Sequence, residues 1–412
     1  MVDIKAEFQR NRQSETALKV VQRLHDKGFQ AYLVGGCVRD LLLGKSPKDF
    51  DVATDAHPDA IRALFNSARI VGRRFQIVHV RFGRDIIEVT TFRAPAGSSA
   101  VTEGGMLLSD NVYGTYEQDV MRRDFTMNAL YYDPQTDEIR DLVDGKQDIE
   151  QRIVRLIGDP EQRFREDPVR MLRAARFEAK LGFSIEAKAE AALHKFGFLL
   201  RDIPPARLFE EVLKLFMSGD GAASFASLRQ HDLLAWLFPD THRINSEQSM
   251  KLIELALAST DQRIREEKPV TPAFILAALL WPAFLELRQQ LKDNGHSNLA
   301  ASQEAAFGVI ARQQDFISIP KRFSGPMRDI WHLQARLHNT RGKKPAAIAR
   351  HKRFRAAYDF LLLREKSGEQ LDDLGAWWTR YQEENPGATT QSAPPAKKRR
   401  SRPRKRRPRP AP

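Results

Sequence analysis

The chain has 412 residues, of which 42% are hydrophobic and 29% charged, and 66 Lys and Arg face 53 Asp and Glu for a net charge of +13. That length has room for two or three domains, and a lone cysteine, Cys37, excludes an internal disulfide or a multi-cysteine zinc site. The charged stretch Met1–Glu15 has no secretory apolar core, and the longest apolar run, Ala273–Leu285, is too short to cross a bilayer. A soluble protein of the cytoplasm, without membrane contacts, is expected.

In chain order, Ala17, Val20, Val21 and Leu24 form a helical stripe over residues 14–27 that Gly28 can end. Ala31–Val34 reads as a strand, followed by Gly35-Gly36 and a brief helix, Val38–Leu43. Phe50–Ala53 reads as a second strand and Pro58–Asn66 as a helix. Gln76–Phe82 and Ile86–Phe92 read as a hairpin around Gly83-Arg84-Asp85. Strands joined both by helices and by a hairpin predict a mixed sheet with helices on one side. Residues 94–113 form a long polar loop of the kind that is mobile or functional. Beyond Asp144 the pattern is helical, with stripes at Ile149–Leu156, Val169–Ala179 and Leu208–Phe216. Residues 385–412 hold ten of the basic residues, seven prolines and no acid, leaving only +3 on the rest; this tail is expected to be disordered.

The chemistry concentrates in Leu33-Val34-Gly35-Gly36-Cys37-Val38-Arg39-Asp40 and Asp49-Phe50-Asp51. Two glycines after a strand let the backbone approach a ligand, and the helix they open presents N–H groups suited to phosphate. Asp49 and Asp51, two apart, face one side of a strand while Phe50 and Val52 point inward. Paired carboxylates beside a phosphate cradle are what two Mg²⁺ ions require. Cys37 reads as a small filler and not a nucleophile. The five tryptophans read as core, and His231-Asp232 as a feature of a helix end.

The stretch from Leu33 to Asp51 resembles the first motif of the class II nucleotidyltransferases, the group that holds tRNA CCA-adding enzymes and bacterial poly(A) polymerases. Arg122-Arg123-Asp124-Phe125-Thr126-Met127-Asn128-Ala129-Leu130 is similar to the second motif. Asp144-Gly145 resembles the hinge, Glu166-Asp167-Pro168-Val169-Arg170 the base-reading motif, and Ala206–Glu211, more loosely, the last. The resemblance implies an α+β protein: a mixed-sheet nucleotidyltransferase head (14–145), a helical neck (146–189), an RNA-binding helical domain (190–250), a helical body (251–384) and the basic tail (385–412). It implies that Asp49 and Asp51 hold Mg²⁺ and that Gly35, Gly36, Arg39, Arg122 and Arg123 position the triphosphate of ATP. A third carboxylate is wanted beside the metals; Asp124 is ranked first because it lies in a motif, with Glu88 as the alternative.

Asp167 and Arg170, three apart on a helix, are neighbours on one face. Together they match the donor and acceptor of adenine's Watson–Crick edge, and equally those of cytosine, while guanine and uracil would leave a buried charge unpaired. The pair therefore excludes G and U without separating ATP from CTP. Ile70–Val80 resembles the segment that marks the poly(A) polymerases within the group. The arginine-rich tail, including Arg399, Arg400, Arg406 and Arg407, supplies cations for RNA of any sequence. The expectation is template-independent addition of AMP to RNA 3′ ends, marking RNA for decay, with RNA-decay or RNA-chaperone proteins as candidate partners. A CCA-adding enzyme and a catalytically silent RNA-binding homologue are the alternatives.

Overall fold

The computed structural model describes residues 12–72, 76–94, 102–103, 106–107 and 112–386. The head is built on a seven-stranded sheet in the order β3-β4-β5-β2-β1-β6-β7. Its strands are β1 (Ala31–Val34), β2 (Asp51–Thr54), β3 (Ala68–Val71), β4 (Ile77–Phe82), β5 (Asp85–Thr91), β6 (Tyr131–Asp133) and β7 (Glu138–Arg140). β2 and β5 run parallel and the other pairs antiparallel, so the sheet is mixed as expected. Three strands, β3, β6 and β7, are additions to the sequence reading. Each is only three or four residues long, too short for a period of two to stand out.

Alternation along each strand divides the sheet into two faces. Leu33, Val52, Val78, Val80, Ile87 and Val89 point to one face and share a core with Ala17, Val20, Val21 and Leu24 of α1 (Arg12–His25). The same core takes in Val38 and Leu41 of α2 (Gly36–Leu42) and Ile61 of α3 (Pro58–Leu64). Tyr32, Val34, Ala53 and Phe92 point to the other face. There they meet Tyr116 and Val120 of α4 (Tyr116–Arg122), so helices lie on both sides and not on one. Tyr32, Tyr116 and Tyr131 pack mainly edge-on or tilted, with ring centroids 4.9–6.1 Å apart.

The neck begins with α5 (Gly145–Gln151). Its helical stripe does not run to Leu156: Arg152 turns into the left-handed region (φ 57°), and Ile153–Val154 pairs in parallel with Ser184–Ile185. Then come α6 (Pro160–Glu166), α7 (Val169–Leu181), α8 (Ala187–Phe196), α9 (Pro205–Phe216) and α10 (Gly221–Gln230), followed by helices to Leu374–Glu384. One continuous core runs from Ala17 to Leu363 through head, neck and body, with a second cluster over Leu333–Trp378. Trp281, Trp331 and Trp378 are buried in it, Trp331 Nε1 donating to the Ala277 carbonyl and Trp378 Nε1 to that of Leu337.

Candidate active site

The turn after β1 is made by glycine for a backbone reason. Gly35 sits at φ 78°, ψ −125°, a conformation that a side chain would strain, and its N–H donates to the Leu130 carbonyl at 3.1 Å. This bond fastens the mouth of α2 to the Arg122–Leu130 stretch. Arg39 on α2 completes the joint. Only 2% exposed, it donates to Asp40 at 2.6 and 2.8 Å and to the Asn128 side chain at 2.5 Å. With Nε and both Nη atoms so engaged, Arg39 braces the two motifs, and its Nη2 stands 3.6 Å from where a Cβ on Gly36 would lie.

Sheet register sets the acidic floor. Val34 of β1 lies opposite Asp51 of β2, and Asp51 lies beside Glu88 of β5. Asp51 and Glu88 therefore stand side by side on the open face, with Asp49, exposed and just ahead of the strand, contributing a third charge. Phe50 and Val52 are buried in the opposite core, as expected. Burial, and then the charge of Glu88, push the Asp51 carboxyl up to about 6, with Asp49 adding and Arg123 opposing. Neither Asp49 nor Asp51 makes an ion pair among the described residues, while Glu88 reaches only His79, at 3.3 Å. Cys37, 2% exposed beneath this floor, has its thiol pushed up to about 12 by burial and by Asp51.

Around this floor stand acids of a different kind. Asp119 accepts from the Arg93 backbone N–H, Arg122 Nε, Arg123 Nη2 and the Tyr131 hydroxyl, at 2.5–3.2 Å. Burial works against its charge, yet Arg123, the Tyr131 hydroxyl and Arg122 hold it below its ordinary value. It orients Arg123, whose Nε donates to Tyr131 at 2.7 Å and whose Nη1 reaches towards Gly35. Asp124 accepts from Arg173 of α7 at 2.5 and 2.6 Å, from its neighbour Phe125 N–H and from Asn128. Largely though not fully buried, it too is held low, chiefly by Arg173. Asp124 thus ties the head to the neck, while Glu88 stands beside Asp51.

The neck grips the same stretch from the other side. Arg163 of α6 donates from Nη2 to the carbonyls of Arg122 and Arg123 at 2.9 and 2.6 Å. Asp167 caps the end of α6 in extended backbone, and α7 starts only at Val169, so Asp167 and Arg170 do not share a helix. Asp167 accepts from Arg207 of α9 at 2.8 Å, while Arg170 donates to Glu166 at 3.0 Å and to the Arg163 carbonyl at 2.8 Å. The hinge is tight: a Cβ on Gly145 would stand 2.3 Å from the Thr126 carbonyl oxygen. The result is an acidic floor beneath a wall of guanidinium groups.

Three family models match the chain: the poly A polymerase head domain over residues 31–155, the "probable RNA and SrmB-binding site of polymerase A" over 182–244, and the polymerase A arginine-rich C-terminus over 294–411. The poly(A) polymerase I of Salmonella typhi is 45% identical over 96% of this chain and 90% of its own length. The chain belongs to the poly(A) polymerase I family. It is an RNA nucleotidyltransferase of the polynucleotide adenylyltransferase type. A CCA-adding enzyme of Lactobacillus helveticus is 41% identical over only 48% of this chain and 49% of its own length, so that likeness stops halfway. The Thermotoga maritima CCA-adding enzyme complexed with tRNA shares the fold, with a TM-score of 0.63 at 18% identity over 95% of this chain and 87% of its own. No helix among the described residues is long and apolar enough to cross a membrane.

The structure brings Gly35, Gly36, Asp49, Asp51, Arg122, Arg123 and Asp124 to one end of the sheet, and Asp167 and Arg170 to the adjoining neck. Sequence reasoning missed Asp119, Arg163 and Arg207; the long-range partners of each lie outside its own motif. Arg399, Arg400, Arg406 and Arg407, most of residues 94–113, and Arg73-Arg74-Phe75 lie outside the described residues.

Proposed function

We propose that this site adds AMP from ATP to RNA 3′ ends without a template and releases pyrophosphate. The observation that carries the reading is the floor of Asp49, Asp51 and Glu88: three carboxylates held close at the mouth of a glycine turn, without the cations that satisfy Asp119 and Asp124. An oxygen-only donor set with uncompensated charge suits Mg²⁺, and Asp49 and Asp51, assisted by Glu88, would hold two such ions. Bound there, magnesium supplies charge neutralisation for the triphosphate and acidity for the RNA 3′-hydroxyl.

The protein's own groups do the rest. The Gly35-Gly36 backbone admits the triphosphate at the start of α2, and Arg122 and Arg123, aimed by Asp119, stabilise charge on it. Asp167 and Arg170 read the base edge once Arg207 and Glu166 are exchanged for the nucleotide. Asp124 and Arg39 keep the motifs in register and do not touch substrate. The helices of residues 190–250 and the tail hold the RNA, and the product tails mark it for decay.

The test is purified chain with ATP and CTP on two substrates, an unrelated RNA and a tRNA lacking its end. Long A tracts on both are expected. A stop after C-C-A on the tRNA alone rejects the adenylating reading.

A further inference from the structure

Outside the head, α8 carries Glu190 and His194 one helical turn apart, on the same face. His231 ends α10, 1% exposed, and comes to meet them. One donor atom from each of Glu190, His194 and His231 lies within 4.8 Å of the others. Each imidazole is steered by a carboxylate. His231 Nε2 stands 2.9 Å from Glu178, which also accepts from Ser227, and His194 Nδ1 stands 3.2 Å from Asp232. A proton on His231 Nε2, given to Glu178, leaves Nδ1 as a bare lone pair. That buried Nδ1 has no hydrogen-bond partner, and its nearest carboxylate oxygen, from Glu190, is 3.5 Å away. A buried ring nitrogen facing a second histidine and a glutamate, each histidine backed by a carboxylate, is the arrangement in which proteins hold transition metals.

We propose that Glu190, His194 and His231 bind one Zn²⁺, separate from the magnesium site in the head. Two imidazole nitrogens and one carboxylate oxygen favour zinc over magnesium, which prefers oxygen alone. Zinc bonds of about 2.0–2.1 Å need the donors closer together than they stand. Glu190 and His194, 40% and 43% exposed in their side chains, have room to swing inward onto the fixed His231. The fourth position opens to water. Zinc here clamps α8 to the turn at Asp232, inside the segment that matches the RNA-binding model.

The full chain, stripped with chelator and held in excess Mg²⁺ to occupy the head, is titrated with Zn²⁺ against a colorimetric competitor. Wild type is expected to take up one equivalent that His194→Ala and Glu190→Gln bind more than about 100-fold more weakly, with Asp232→Asn losing about 10–100-fold. Both ligand variants alter half-exposed side chains, so their metal-free melting temperatures should match wild type. Zinc should raise the melting temperature of wild type only, and Co²⁺ should give tetrahedral absorption in wild type only. Equal zinc uptake by wild type and His194→Ala, or no uptake by either, overturns the assignment.

Discussion

Two sets of acids share the head, and they are built oppositely. Asp119 is buried and Asp124 largely so, each surrounded by donors that hold its carboxyl low. Asp51 and Glu88 lie side by side with Asp49 close, and burial with mutual repulsion raises Asp51. The fold satisfies the first pair with donors and leaves the second set in tension, and on the function proposed above that second set is the one that holds a cation. Motif membership does not distinguish them: Asp124, inside a motif, is paired with Arg173, while Glu88, outside one, stands beside Asp51 at the floor.

The largest test of this contrast is Asp51→Asn. ATP incorporation should fall by about 10³-fold or more, as expected when charge stabilisation worth several kcal/mol is lost. The metal-free protein should nonetheless become more stable, by about 2–3 kcal/mol, because a carboxyl raised to about 6 from 3.8 opposes folding when ionised. Asp124→Asn and Arg173→Ala should do the reverse and destabilise the chain, by about 3 kcal/mol, since each strands a partner of a largely buried pair. Urea melts measure both, and a loss of stability in Asp51→Asn would break the distinction.

The raised carboxyl also leaves a mark on pH dependence. Between about pH 4 and 6 folded Asp51 keeps a proton that the unfolded chain has shed, so its contribution to stability falls as pH rises through about 6. Subtracting the Asp51→Asn melts from those of wild type at each pH isolates that window, and activity should fall as pH drops through about 6. Arg170→Ala should raise the KM for ATP about tenfold and narrow the preference for ATP over GTP and UTP, with RNA affinity unchanged. The smallest effect belongs to deletion of residues 385–412: weaker RNA binding, with the log–log salt slope reduced by about 0.7 for each phosphate that the tail no longer neutralises.

The contiguous parts of the site were legible because strand, glycine turn and Asp-x-Asp are consecutive in the chain, and the alternation that buries Phe50 and Val52 follows from it. Glu88 was ranked second because the register of β2 on β5 joins residues 37 apart, and pattern says nothing about which strands pair. Arg207 and Arg163 were missed for a similar reason, since their partners are 40 and 41 residues away. Asp167 was placed on one helix with Arg170, whereas a new helix, with Pro168 at its N-cap, starts between them. His231-Asp232 was rightly assigned to a helix end, but Glu178, Glu190 and His194 reach it only through the packing of α7, α8 and α10.

The walled-off Cys37 has a practical corollary. A chain with one thiol, sealed under the sheet and held protonated at neutral pH, is already a clean background for site-directed labelling. Any cysteine introduced on an exposed helix should be the group that a maleimide dye finds, so distances between head and body can be followed by energy transfer without first removing the native sulfur.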